Sequence, residues 1–393
     1  MLIYYRFNNF CSFNCESEFS MSAPTGKVKK RFPDNYVETA EGFDLLKSAV
    51  IVGENAGGKS NFINSLKYLK SLFVTNSQVK SVRPYVNAAS LNEEKIPVQK
   101  FELCFRAENG KVYVYHLHLN EYGIVYEELQ TLKKRNAVAS SVFRVERQDE
   151  AFQLEGPIGV KLPTFVMKKL FSEDSIGLMV SKYALLGNAD AVVVVEWVTN
   201  TLYPESLAAD KSDDVIKQDA DLRILEDERY LEIFRMVDYS ICGIELDKEK
   251  PYSKTIIIRK DENGNLFRRE LQMDSTGVRE FFAWAVHIFR VVYENKVVFA
   301  DEMDRVLNPI LSDRVIAFVN GAEHNGQFIF STHNVLHLDL KTYMKEQIYF
   351  VTKNREQLTS EMYSLSDFPE VRYETTKIYE FYMKGILGGT AFE

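Results

Sequence analysis

Residues 53–60 read Gly53-Glu54-Asn55-Ala56-Gly57-Gly58-Lys59-Ser60 and complete the phosphate-binding pattern G-x-x-x-x-G-K-S. No other feature constrains the fold as strongly, because such a loop works only between a buried strand and a helix. Ala49-Val50-Ile51-Val52 reads as that strand, and Phe62, Leu66, Leu69 and Phe73 recur at helical spacing behind the loop. Glycines let the backbone curl so that its N–H groups point at a β-phosphate. Lys59 supplies a point charge for the β- and γ-phosphates, and Ser60 a hydroxyl for Mg²⁺. The helix behind the loop aims its positive end at the same anion. The loop therefore implies a nucleoside triphosphate, with Gly53, Asn55, Gly57, Gly58, Lys59, Ser60 and Asn61 as the expected binding residues. ATP and Mg²⁺ are the expected cofactors.

A second segment, Lys296-Val297-Val298-Phe299-Ala300-Asp301-Glu302, is an apolar strand ending in two carboxylates. Placed beside the P-loop strand in a parallel sheet, its carboxyl end would face the phosphates. Asp301 is then expected to hold Mg²⁺, and Glu302 to orient or deprotonate the attacking water. A third strand, Gln327 to His333, follows a helix marked by Leu311, Val315, Ile316 and Val319, and brings an imidazole to the same edge. His333 could hydrogen-bond the γ-phosphate and sense its loss. Between these segments, Asp274-Ser275-Thr276-Gly277 precedes a long apolar helix. Ser275 reads either as the cap of that helix or, with Gly277, as an anion contact at its N-terminus.

Composition narrows the class. A net charge of −8 argues against a surface coated for nucleic acid, although Lys27–Arg31 and Lys133–Arg135 form small basic clusters. No run of eighteen apolar residues is present, so no transmembrane helix and no membrane partner are expected. The N-terminus reads as a strand rather than a signal peptide, and the four cysteines at 11, 15, 104 and 242 form no paired framework. These features fit free thiols in the cytoplasm. His116 and His118 share one strand face but lack a third ligand, so they are not read as a metal site.

The motifs together resemble an ABC-type ATPase of the SMC and Rad-repair lineage. More narrowly, they resemble the single-chain prokaryotic AAA-fifteen and AAA-twenty-one grouping, with its RloA-like, PARIS AriA-like and OLD-related defence ATPases. The resemblance rests on Asn8-Asn9-Phe10-Cys11-Ser12-Phe13, expected on the first strand, and on the P-loop with Asn55. It also rests on Asp274 to Gly277 as a shortened signature, Asp301 to Pro309, and Ser331-Thr332-His333-Asn334. Cys11 replaces the usual basic residue, Asn308 replaces the usual histidine, and Gln99 is a candidate Q-loop residue.

The resemblance implies an α/β ATPase head with a mixed sheet core, an N-terminal β lobe and a helical insertion. On this reading, residues 1–149 form the first lobe with the P-loop and a β-meander over 100–130. Residues 150–254 form a mostly helical insertion, with helices over Phe165–Phe171, Ala189–Leu202 and Ile224–Val237 and a mobile acidic loop over Asp210–Asp221. Residues 255–393 form the second lobe. The resemblance further implies a homodimer or higher homo-oligomer sandwiching ATP, with Ser275 and Gly277 acting in trans and Asp304 near the seam. It also implies a defence role through a separate effector, a Toprim-type nuclease or a toxin. After His333 only sixty residues remain in this sequence, too few for a fused nuclease domain. A DNA-repair or chromosome-associated SMC-like ATPase is the alternative, and it predicts long coiled coils or a basic groove that the sequence does not show. A transporter subunit would need a fuller signature. A small-molecule kinase fits the water-activating Asp301–Glu302 pair less well.

Overall fold

In the computed structural model, the described residues are 1–74, 79, 98–148, 151–155, 177–206, 221–335, 338–354, 356–374 and 376–388. The chain opens with β1 (Leu2–Asn8), β2 (Ser17–Ser20), β3 (Tyr36–Glu38), β4 (Asp44–Leu46) and β5 (Ser48–Val52), which runs through the P-loop into α1 (Lys59–Val74). A meander follows: β6 (Gln99–Arg106), β7 (Val112–Asn120), β8 (Gly123–Leu132), β9 (Ser140–Gln148) and β10 (Ala151–Glu155). After α2 (Met179–Leu185) and α3 (Ala189–Asn200) come β11 (Leu202–Ser206), α4 (Glu228–Phe234), β12 (Ile241–Glu245), β13 (Ile256–Lys260) and β14 (Leu266–Glu270). The last part runs α5 (Thr276–Glu294), β15 (Val297–Asp301), α6 (Pro309–Gly321), β16 (Gln327–Thr332), β17 (Ile348–Lys353), β18 (Ser360–Ser364) and α7 (Ile378–Met383).

Two large sheets pack through a shared core. The first is antiparallel, in the order β10-β9-β8-β7-β6-β1-β2. The second runs β11-β15-β16-β5-β17-β18, with its first five strands parallel and β18 antiparallel. A parallel sheet covered on both faces needs continuous apolar strands, which is how Ala49 to Val52 and Val297 to Ala300 read. Alternate side chains then serve opposite layers. Ala49, Ile51, Val297 and Phe299 pack with α1 and the β lobe, whereas Val50, Val52, Val298 and Ala300 pack with α5 and α6. Gln327, fully buried, ties the two sheets together. Its side chain accepts from Leu2 N–H at 2.5 Å and donates to the carbonyls of Leu2 and Leu46 at 3.0 Å.

Three expectations change. The Asp301–Glu302 strand does not adjoin the P-loop strand; β16 lies between β15 and β5. Helix α6 returns the chain from β15 to its immediate neighbour, and that neighbour is the strand β5 pairs with. All three strands are parallel, so their carboxyl ends still share one edge. Asn9 to Phe13 do not continue β1. Asn9 and Cys11 adopt φ of 54° and 49°, which no strand accommodates, and Phe10 and Phe13 exchange backbone hydrogen bonds at 3.0 Å across a tight turn. Finally, helix α3 ends at Asn200, and Leu202 starts β11, which pairs in parallel with β15 from Leu202↔Val297 to Ser206↔Asp301. The segment expected as a helical insertion thus lends a strand to the core sheet. The expected helix at Phe165–Phe171 lies outside the described residues, as does all of the expected acidic loop except Asp221.

Helix α2 is fastened to the β lobe by one buried carboxylate. Glu127 accepts the N–H groups of Met179 and Val180 at 2.8 and 2.7 Å and the Tyr115 hydroxyl at 2.9 Å. Burial pushes its carboxyl from 4.5 up to about 7 against those hydrogen bonds. A carboxyl raised by folding contributes stability that is complete below its unfolded value and is lost as pH rises through the folded one. The amide of Glu127→Gln carries no such cost. The variant's melting temperature should therefore rise relative to the parent's between pH 5 and pH 8. The full swing is about 3 kcal/mol at 1.36 kcal/mol per unit. A difference that stays constant over that range would contradict the assignment.

Candidate functional site

The P-loop lies at the carboxyl edge of the parallel sheet, between β5 and α1. Ala56 takes a left-handed φ of 62°, and Gly53 approaches β17 so closely that a Cβ there would lie 2.1 Å from the Val351 carbonyl oxygen. Lys59 starts α1 with its side chain buried. Its ammonium donates to the carbonyls of Gly53 and Glu54 at 2.7 and 3.0 Å and stands 3.4 Å from His333 Nδ1. Burial lowers the Lys59 pKa, while the carboxylates of Asp301, Asp304 and Glu302 act in the opposite direction.

A cavity of about 150 Å³ separates residues 54–56 and 58–61 from Glu302 and His333. Five of the nine nominated binding residues, Asn55, Gly58, Lys59, Ser60 and Asn61, line this cavity, and both nominated catalytic residues line it with them. Ser60 is exposed on the first turn of α1. Asp301 stands behind the cavity at the end of β15, where its Oδ1 accepts the Ser331 hydroxyl at 2.5 Å. The same Ser331 oxygen accepts the Glu302 N–H at 2.8 Å. Glu302 itself adopts φ 54°, and its carboxylate pairs with Arg305 at 2.6 Å. Asp304 accepts the His333 N–H at 3.1 Å, joining the acidic turn to the histidine turn within one chain.

Ser275 and Gly277 do not line this cavity. Ser275 caps α5, accepting the Val278 N–H at 3.4 Å, and both residues are exposed. A Cβ on Gly277 would meet nothing within 4 Å, so no intrachain contact requires glycine there. Gln99 is buried in the β lobe, donating to the Asn9 carbonyl at 2.7 Å, away from the cavity. His116 lies 3.4 Å from Glu102, and His118 stacks on Tyr126. Among the described residues, no group of three or more His, Cys, Asp or Glu side chains is placed to hold a metal, and no helix is long and apolar enough to cross a membrane. All four cysteines are free.

The sequence offers Ser331 only as part of the Ser331–Asn334 segment, with no role of its own; in the structure its hydroxyl holds the Asp301 carboxylate and the Glu302 backbone N–H. Its local signal is a small polar residue closing the apolar run Phe328-Ile329-Phe330.

The residues present fit a magnesium–triphosphate group. The loop is a glycine cradle that a side chain at Gly53 would displace, Lys59 is a buried cation, and Ser60 and Asp301 are hard oxygen donors of the kind Mg²⁺ prefers.

Residues 48–339 match the family described as "AAA domain, putative AbiEii toxin, Type IV TA system". No curated protein matches the chain. Among solved structures, the SMC head domain from Thermotoga maritima is 15% identical with a TM-score of 0.42, covering 92% of this chain and 98% of that one. The Smc head domain from Pyrococcus furiosus, with an extended coiled coil and bound to the C-terminal domain of ScpA, is 14% identical with a TM-score of 0.46, covering 92% and 96%. The Smc head domain with a coiled coil and joint from Pyrococcus yayanosii is 10% identical with a TM-score of 0.46, covering 97% and 99%. The family match spans the P-loop, the acidic strand end and the histidine turn, so the chain belongs to the AAA-twenty-one family of ABC-type P-loop domains.

Proposed function

We propose that this protein is an ATP-binding and ATP-hydrolysing switch that dimerises around nucleotide and controls a separate effector in anti-phage defence. The observation that carries the enzymatic part is the single cavity that the P-loop shares with Glu302 and His333. Lys59, already desolvated, would exchange its bonds to the Gly53 and Glu54 carbonyls for bonds to phosphate oxygens. Ser60 and Asp301 would hold Mg²⁺, which when bound supplies charge neutralisation at the phosphates. Ser331 keeps Asp301 aimed and fixes the backbone of Glu302. The Glu302 carboxylate, once released from Arg305, would take a proton from water. His333, with its backbone anchored on Asp304, can hydrogen-bond a γ-phosphate and respond to its departure.

The dimeric part rests on the exposed signature. Ser275 and Gly277 lie exposed at the N-terminus of α5, where Ser275 already accepts the Val278 N–H, and the anion of a second subunit would add a ligand to that first turn. ATP occupancy would then hold two copies together, and hydrolysis would loosen them. The family description, with its toxin and toxin–antitoxin terms, supports a defence role of the abortive-infection kind. The effector of the notional pair is a toxin or a nuclease, by resemblance of the Toprim type. The cytoplasm is the compartment where such a pair would act. Nucleic acid enters this reading only through the effector.

Ser275→Arg tests the trans arrangement. A bulky cation on an exposed helix cap should leave cis binding of ATP within about twofold and lower turnover at least about tenfold, an effect of ~1.4 kcal/mol or more on the transition state. Loss of ATP binding itself would make Ser275 a cis folding residue. The whole reading is tested by phosphate release together with size-exclusion mass in the presence and absence of Mg-ATP, and by co-expression with a neighbouring nuclease gene. A chain that neither hydrolyses ATP nor changes mass would overturn it.

A further inference from the structure

We infer that Ser360 and Ser12 form a hydroxyl relay that sets the direction of the P-loop's phosphate-binding N–H groups, and that both are positioning residues of the nucleotide site. The inference rests on the ATP-binding reading above and adds to it two residues outside the loop, on segments 348 residues apart.

The P-loop is moulded against the β17–β18 hairpin. Gly53 and Gly57 lie against the Val351 carbonyl, and a Cβ on Gly58, whose φ is +123°, would fall 2.4 Å from Ser360 Oγ. Ser360 opens β18, is almost fully buried, and has its N–H bound to the Ser12 carbonyl at 2.7 Å. Its hydroxyl lies 2.6 Å from the Gly57 carbonyl oxygen and 2.7 Å from Ser12 Oγ. Ser12, also buried, receives the side-chain N–H of Asn61 at 2.8 Å.

The chemistry of these groups orders the protons. A serine hydroxyl has one proton to give, and a carbonyl can only accept. Ser360 therefore donates to Gly57, Ser12 donates to Ser360, and Asn61 donates to Ser12. Every hydroxyl in the chain then gives once and accepts once, so the relay is satisfied in one direction only. Its end point is the peptide joining Gly57 to Gly58. In a trans peptide the C=O and N–H point opposite ways. Holding the Gly57 carbonyl on the hairpin turns the Gly58 N–H away from it, toward the cavity that Gly58 lines. Asn61, at the start of the relay, lines the same cavity from α1. The relay thus joins the loop's two flanks, the N-terminal turn and the hairpin after the histidine strand into one rigid cradle. Glycine at 58 is required by the hairpin as well as by the phosphate.

The test uses the full chain with Mg-ATP turnover and binding of a fluorescent N-methylanthraniloyl ATP. Variants are Ser360→Ala, Ser12→Ala and the double variant; melting temperature is followed without nucleotide. A relay broken at any link should lose alignment of the Gly58 N–H in both ground and transition states. KM and the nucleotide Kd should each rise about tenfold in either single variant, in line with one hydrogen bond to a charged group. Turnover at saturation should change less than about twofold. The double variant should bind ATP no worse than the weaker single, because the second deletion removes nothing that still acts. Ser12→Ala reads the same relay if Ser360→Ala does not fold. Wild-type KM in a folded single variant, or losses that add in the double variant and follow melting temperature, overturn the relay while leaving the ATP site standing. Absence of binding and turnover in the unsubstituted protein overturns the ATP reading and the relay with it.

Discussion

Lys59→Ala should weaken ATP binding at least about a hundredfold and abolish measurable turnover while leaving the fold intact. The ammonium is buried; among the described residues it is held by the Gly53 and Glu54 carbonyls, stands 3.4 Å from His333 Nδ1, and feels the carboxylates of Asp301, Asp304, Glu302 and Glu54. Losing those carbonyl bonds costs the folded protein about 1 kcal/mol each at most, because water entering a cavity open at the P-loop can replace the donor. Losing the cation from the triphosphate is different. Bonds from an ionised donor to phosphate oxygens are worth about 1.5–3 kcal/mol apiece, and two of them account for the expected hundredfold. A second effect has the same sign. Without Lys59, the carboxylates of Asp301, Glu302 and Asp304 face an incoming polyanion with no fixed counter-charge between them. Isothermal titration with Mg-ATP measures the affinity, and thermal melting without nucleotide checks the fold. Undiminished affinity in a folded variant would remove the P-loop from the nucleotide site.

The parts of this site that were legible in the sequence are those whose signal is local. The P-loop is eight contiguous residues between a strand and a helix, and its chemistry can be read without knowing where the rest of the chain goes. Glu302 and His333 were legible for a related reason. Each follows an apolar run that reads as a buried parallel strand, and parallel strands deliver their carboxyl ends to one edge whatever their order. The strand order itself was not legible. Nothing in Val297 to Ala300 distinguishes a neighbour of β5 from a strand one place further out, because both sites are buried on both faces. Hidden too were the residues that act through a partner remote in sequence. Ser331 meets the Asp301 carboxylate 30 residues away, and Ser12 meets Ser360 across most of the chain. A serine carries no periodicity that predicts such a contact. The positive φ at Cys11 and Glu302 is likewise not announced by residue type, since neither side chain favours the left-handed region. The turn at Phe10–Phe13 reads as strand in the sequence for that reason.

Glu302→Gln should reduce turnover at least about a hundredfold, the range set by loss of a general base, and should convert ATP from a transient to a lasting dimeriser. The substitution is close to isosteric, and glutamine bears the left-handed φ of 54° no worse than glutamate does. The backbone N–H keeps its bond to Ser331, so the orientation of Asp301 is undisturbed. What is lost inside the free chain is one exposed ion pair with Arg305, worth about 0–1 kcal/mol. Binding should therefore survive. An amide cannot take the water's proton, so the γ-phosphate that would complete the second subunit's exposed Ser275 cap stays in place. A dimer held by that anion would then have a population that follows nucleotide affinity instead of the hydrolysis rate. Size-exclusion chromatography with light scattering should show twice the protomer mass with Mg-ATP and a single protomer with Mg-ADP. Two further substitutions locate the cause. Adding Lys59→Ala should return the protein to the monomer by removing the nucleotide, and adding Ser275→Arg should do so with the nucleotide still bound. A Glu302→Gln protein that binds ATP tightly yet keeps one mass under all these conditions would show that nucleotide closes this site without a second subunit, and the exposed Ser275 cap would then need another ligand.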